Sequence, residues 1–457
     1  MTIQQVPGTD LTYYLVAYDK NGVERPDDPD GLMSDRIAQS IHDEQVTDVF
    51  VMSHGWKGDV PAAIEQYNRW ITAMADCEAD RAAMRVVRPA FKALLVGFHW
   101  PSEPWGEEEF ATGAASFGVD SGTVDGSTTS ATASLDTFVD QYADRIADTP
   151  RAREAIRAIM RIAMDAGPGT VQMPPEMTQA YCVLNDEANL GDAGTNDAPG
   201  EDRATFDPNR AFLNARAAAS ELPPRFGGFS FSDLLSPLRQ LSFWQMKARG
   251  RKIGETSGSA LLNKMMKAVP EHQPTRFHLM GHSFGCIVVT GMINGENGEN
   301  GASVLPRAVS SLTLVQGATS LWGFCSDIPD YGKPGYFRKV IASKKVSGPI
   351  VTTQSAMDTA VGRFYPLAAG VALQVDLAAG TFPKYGGMGA FGIQGPGLSI
   401  EDQLVGNSVH AYKFQPGHIY NLECSSVIKD GSGVSGAHSD IAKPEIAHAV
   451  WEAAKLS

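Results

Sequence analysis

The sequence predicts an α/β fold in which a mostly parallel central sheet is flanked by helices and interrupted by a largely helical insertion. Three observations carry this expectation. Short apolar runs of strand length recur between segments of helical periodicity. One such run, Arg276 to Gly281, passes through a Gly-x-Ser-x-Gly turn straight into a second apolar run. Between residues 101 and 235 the character of the chain changes before the pattern resumes. At 457 residues, 43% hydrophobic and 20% charged, the chain can bury a large core.

Taken in order, Leu11 to Tyr18 reads as a first strand, followed by a polar Asp/Pro-rich loop at 26–31. Asp48 to Met52 is a short apolar strand running into Ser53-His54-Gly55-Trp56. Pro61 sits where a helix can start, and Ile64, Tyr67, Ile71 and Met74 recur at helical spacing, so this segment returns to the sheet. Lys92 to His99 is the next strand, closing with Trp100-Pro101-Ser102. The insertion opens with Glu107-Glu108-Glu109 and a Ser/Thr/Gly stretch at 121–134. Two helices follow, one marked by Leu135, Phe138, Val139, Tyr142 and Ile146, the other by Ile156, Ile159, Met160, Ala163 and Met164. The acidic, glycine-containing stretch 185–202 reads as a surface loop.

Leu238 to Ile253 and Gly258 to Ala268 supply two helical stretches leading to the strand before Ser283. Beyond the helix that follows Ser283, Asn294 to Gly301 is a run of turn formers. Ser311 to Gln316, Pro349 to Gln354 and His418 to Cys424 are the remaining strands, with a glycine-rich irregular loop at 377–400. Gly436-Ala437-His438-Ser439-Asp440-Ile441 opens the final helix.

A strand, a sharp turn with a serine at its tip and a helix together lift a hydroxyl out of the backbone. The turn is too tight for a Cβ at Gly281 or Gly285, and the helix N-terminus behind Ser283 favours developing negative charge. The plainer reading is a glycine-bounded turn that happens to hold a serine. On these residues the chain resembles the serine hydrolases of the α/β-hydrolase fold, an esterase- and lipase-like superfamily. The resemblance implies a nucleophile elbow after the fifth strand, with the acid and then the base following in the chain.

In that frame Ser283 is the nucleophile. Asp358, beyond the seventh strand of the fold, is the acid, favoured over Asp327 and Asp330 in a Pro/Gly loop; it also stands where it would cap a helix beginning at Thr359. His438, in the loop after the last strand, is the base, favoured over His410 and His418. The His-Gly-x segment after the third strand implies an oxyanion hole built from the Trp56 and Phe284 amides, with His54 bracing the loop. One sheet then needs both ends of the chain. The expected domains are core residues 1–100, a helical cap or lid insertion at 101–235 that covers the serine, and core residues 236–457. A peripheral decoration is the alternative for the insertion.

The function implied is hydrolysis of a small-molecule or lipid-like carboxylic ester, of carboxylesterase or lipase type, through an acyl-enzyme. An amidase or peptidase and an acyltransferase stay open because the same triad serves each, and so does a catalytically silent hydrolase fold used as a binding module. No metal or organic cofactor is implied. A net charge of −14 argues against nucleic acid or an anionic membrane surface as partner. The opening residues lack the pattern of a signal peptide, and no apolar run reaches the ~18 residues of a membrane span, so a cytoplasmic protein is expected. Five cysteines, odd in number and without metal-ligand spacing, read as reduced thiols, with Cys286 a small core residue.

Overall fold

The computed structural model describes residues 3–26, 31–56, 60–102, 128–166, 172–190, 204–220, 231–296, 305–329, 332–364, 382–431 and 436–456. Two compact units divide the chain. The first comprises Met1–Ser102, Arg249–Gly362 and Gly386–Ser457; the second comprises Glu103–Ala248 and Arg363–Tyr385.

The first unit is built on a nine-stranded sheet. Its strands are β1 (Gln4–Gln5), β2 (Thr12–Ala17), β3 (Asp48–Ser53), β4 (Ala93–His99), β5 (Arg276–His282), β6 (Ser311–Val315), β7 (Ile350–Gln354), β8 (Ile400–Leu404) and β9 (Ile419–Glu423). Their spatial order is β1-β2-β4-β3-β5-β6-β7-β9-β8, and every pairing except β1 with β2 is parallel. β3 and β6 are buried along their whole length, which is why the interior of β3, Val49 to Met52, reads as a continuous apolar run and the alternating Ser-Leu-Thr-Leu of β6 does not mark an exposed face. Helices Val60–Asp76 and Pro444–Lys455 bring Tyr67, Trp70, Ile71, Ala447 and Trp451 into one core with Phe50, Met52 and Met280 of the sheet.

Two strands escape the apolar-run criterion. β8 begins at the last residue of the stretch expected to be irregular, and its sequence Ile-Glu-Asp-Gln-Leu carries three polar residues because it is a half-exposed edge strand. β1 is a two-residue edge strand of glutamines. In β8, Leu404 is left 77% exposed, so the local sequence gives no sign of pairing.

Every described element of the second unit is helical: Thr128–Arg145, Pro150–Asp165, Pro175–Glu187, Pro208–Ser220, Phe231–Leu234 and the first part of Ser236–Ile253. The unit has its own core, in which Val139, Tyr142, Ile156, Ile159, Met160 and Tyr181 pack together. Thr149 starts one helix: its hydroxyl accepts from the Ala152 amide at 3.1 Å, with Pro150 next in the chain. The unit runs past the expected limit of 235, because Leu238, Leu241, Trp244 and Ala248 join this core. Met164, expected on the apolar stripe, is instead 46% exposed. Glu107 to Glu109, the 121–127 stretch and 191–202 lie outside the described residues. No helix among the described residues is long and apolar enough to cross a membrane.

Candidate active site

β5 ends at His282 and the next helix is Gly285–Asn294, so Ser283 sits on the two-residue turn between them. Its φ is +55°, a left-handed conformation that costs a non-glycine residue roughly 1–2 kcal/mol. Tertiary bonds hold it there. The Ser283 amide donates to Val315 O (3.1 Å), while Ser283 O accepts from the Ala318 amide (3.2 Å) and the Cys286 amide (3.1 Å). A side chain at Gly285 would run into the carbonyls of Ser53 and His54, and one at Gly281 into the backbone of Gly285. The turn therefore closes onto the end of β3.

Ser283 Oγ lies 2.8 Å from His438 Nε2, and His438 Nδ1 lies 2.7 Å from Asp358 Oδ2. A carboxylate only accepts, so the neutral imidazole carries its proton on Nδ1 and leaves Nε2 to accept from the serine hydroxyl. Asp358 is 1% exposed and Ser283 6%, whereas the His438 side chain keeps 12%, so the carboxyl is sealed and the imidazole retains some exposure. The two loops that bear Asp358 and His438 are tied by the Ala437 amide, which donates to Met357 O at 3.0 Å. His282, the residue before the serine, donates from Nε2 to His438 O at 2.9 Å.

Asp358 is held on both oxygens. Oδ1 accepts from the Val361 amide (2.9 Å), the capping role expected of it, and Oδ2 accepts a second bond from Gln316 Nε2 (2.9 Å). Gln316 follows β6, is fully buried and has φ +46°. Its Nε2 also donates to Gly389 O (3.2 Å), and its Oε1 accepts from Thr353 Oγ1 (2.9 Å). No motif marks this residue; the only local signal is a polar side chain closing an apolar strand.

The His54-Gly55 loop after β3 is braced from several sides. His54 Nδ1 donates to Gly55 O (2.8 Å), so its Nε2 accepts from His99 Nδ1 (3.0 Å). Tyr67 Oη accepts from the His54 amide (2.9 Å) and donates to Phe98 O (2.6 Å); Trp100 Nε1 donates to His54 O (3.1 Å) and Ser102 Oγ to Gly55 O (3.0 Å). The loop abuts the serine: a Cβ on Gly55 would stand 2.7 Å from Ser283 Cβ. Beyond it, the rings of Trp56 and Phe284 lie 5.7 Å apart.

A second hydrogen-bonded Ser–His–Asp arrangement is present. His278 Nδ1 lies 2.8 Å from Ser311 Oγ, His278 Nε2 lies 3.0 Å from Asp48 Oδ1, and Arg88 donates to the same Asp48 oxygen at 2.8 Å. Triad-like geometry of the serine-hydrolase type thus occurs twice. In this second set no member is more than 2% exposed, and Asp48 and Ser311 are the first residues of β3 and β6, at the end of the sheet opposite Ser283. Burial pushes the His278 pKa below its ordinary value despite Asp48. Burial also opposes the charge on Asp48, but the bonds from His278 and Thr47 and the nearby Arg88 outweigh it and hold the carboxyl below the usual range.

The competing residues of the sequence have other partners. The His410 carbonyl accepts from His448 Nε2 while its ring packs on Tyr412; His418 Nδ1 bonds Ser399 Oγ; the Asp327 carbonyl accepts from Cys325 Sγ. Asp330 lies outside the described residues. All five cysteines are free, and burial pushes the Cys286 thiol far up, which suits a core residue. Asp80, His448 and Glu452 carry possible ligand atoms within 4.8 Å of one another. Both ring nitrogens of His448 are nevertheless engaged, with Asp80 Oδ2 (2.8 Å) and His410 O (2.6 Å), and Glu452 pairs with Lys455, so the cluster works as a polar clasp between helices Glu78–Val87 and Pro444–Lys455. No protein-family model, curated protein or solved structure matches the chain.

Proposed function

We propose that the chain is a serine hydrolase of the α/β-hydrolase fold that cleaves carboxylic esters through an acyl-enzyme. The observation that carries the proposal is the unbroken line from Ser283 Oγ through the His438 ring to Asp358, with the serine on a left-handed turn before a helix. His438 Nε2 takes the Ser283 proton as Oγ bonds the ester carbonyl carbon. Asp358 holds the ring in the productive tautomer and stabilises the imidazolium. The tetrahedral oxyanion is assigned to the Phe284 and Trp56 amides, a placement supported by the closeness of Gly55 to Ser283. Collapse expels the alcohol, which receives the proton from His438. Water then repeats the sequence on the acyl-enzyme and releases the acid.

The second unit is proposed to act as the lid that selects the acyl group, on the ground that it is a helical unit inserted into the chain with a core of its own. Met164 and Leu213 are large apolar side chains that its own core leaves exposed. Replacing either with serine should change preference among acyl chain lengths more than reactivity toward acetate; equal effects on both would remove the lid assignment.

Labelling with a fluorophosphonate and turnover of p-nitrophenyl esters and anilides of graded chain length test the reading together. Covalent labelling that disappears in Ser283→Ala, with esters turned over faster than anilides, is the expected result. A wild-type protein that neither labels nor turns over any substrate would leave the fold as a binding module.

A further inference from the structure

We infer that Gln316 is a positioning residue for the acid of this site, locking the Asp358 carboxylate in the rotamer that faces His438; the inference rests on the hydrolase reading above. Three features of the geometry carry it. First, Asp358 Oδ2 receives two donors, His438 Nδ1 at 2.7 Å and Gln316 Nε2 at 2.9 Å, while Oδ1 is bound by the Val361 amide. The carboxylate is therefore fixed in plane and rotation, and its two oxygens are not interchangeable.

Second, the amide of Gln316 has its orientation decided by its own partners. Thr353 Oγ1 accepts from the Gln316 backbone amide at 3.0 Å and donates its single proton to Gln316 Oε1 at 2.9 Å. With Oε1 so engaged, Nε2 must point to Asp358 and to Gly389 O. A flipped amide would set its oxygen against the Asp358 carboxylate and the Gly389 carbonyl, both of which only accept. Third, Gln316 has φ +46° directly after β6, so the backbone carries a strained conformation at the place where the side chain must turn toward the acid. All of this lies out of solvent, Gln316 being 0% and Thr353 1% exposed, where a donor to an ionised acceptor is strongest.

The consequence is electrostatic as well as geometric. The Gln316 donor draws part of the carboxylate charge away from the imidazolium. Removing it strengthens the pull of Asp358 on a protonated His438 and frees the carboxylate to rotate. Gln316→Met, close in shape and without donor or acceptor, should lower kcat by about 10- to 100-fold with KM little changed, the size of one charge-assisted hydrogen bond. The acid limb of kcat/KM should move to higher pH. Thr353→Val should lower kcat less, and in the Gln316→Met background its effect on kcat should largely vanish, leaving the lost bond to the residue-316 backbone amide to appear as stability.

The low-field proton resonance of His438 Nδ1–H, identified by its loss in His438→Ala, supplies a readout independent of turnover and should shift in Gln316→Met. Unchanged kcat and an unshifted resonance in Gln316→Met would overturn the positioning role, as would equal, additive losses from the two variants. Retention of turnover by Ser283→Ala would overturn the hydrolase reading instead, and leaves the resonance to judge Gln316 by itself.

Discussion

Among the described residues two serines are hydrogen-bonded to histidines that are in turn bonded to aspartates, and it is their surroundings that separate them. Ser283 stands on a strained turn with a partly accessible histidine beside it; Ser311 opens a buried strand. Chemistry at Ser311 would require a substrate inside the sheet. Ser283→Ala is therefore expected to abolish fluorophosphonate labelling and ester turnover with a melting temperature close to wild type, while Ser311→Ala keeps labelling and loses some stability. The reverse pattern, read by intact-protein mass spectrometry, would move the nucleophile to Ser311. Asp358→Asn should cost orders of magnitude in kcat, because an amide at Oδ2 favours the wrong tautomer of His438.

Among elements, the ends of β3, β5 and β6 divide the work. Their carboxyl ends present the Ser283 turn and the braced His54 loop; their amino ends hold the Asp48–His278–Ser311 network. That division makes stability and activity respond to different parts of the same strands. His278 is depressed in the folded state, so the unfolded chain binds the extra proton first as pH falls. Its contribution is full above the ordinary histidine value of about 6.5 and declines below it; that of Asp48, also depressed, persists until about pH 4 and is lost at still lower pH. Urea midpoints should accordingly fall between pH 7.5 and 5, and His278→Gln should flatten that slope. A wild-type midpoint constant over this range would remove the network from the stability of the fold. Gly55→Ala should damage activity through contact with Ser283 and the His282 carbonyl, seen as slower labelling together with a lowered melting temperature.

For the molecule as a whole, the two units have separate cores, one around the sheet and one around Val139, Ile156, Met160 and Tyr181. Met160 is fully buried within the helical core, so its replacement acts on folding before it can act on substrate choice. Met160→Ala should cost about 2–5 kcal/mol and raise hydrogen exchange over residues 135–187, with protection of β5 and β6 retained. Loss of protection throughout the chain would show that the units fold as one.

Read from the sequence alone, the glycine-bounded turn at Ser283, the apolar strands and the first two insertion helices are legible, because each is a local pattern: glycines bounding a turn, an apolar run, a 3.6-residue stripe. Ser283, Asp358 and His438 could be singled out because each follows such a strand. The edge strand β8 could not, since half-exposed pairing leaves polar residues in place of a run. Nor could the extent of the helical unit, which is decided by where Trp244 and Ala248 find their core. Gln316, His282 on the His438 carbonyl, and the existence of a second Ser–His–Asp set depend on bonds between residues dozens to hundreds of positions apart. Parallel strands bring such residues together only when the sheet is assembled, and which end of the sheet a serine occupies, hence whether a substrate can reach it, exists only in the folded chain.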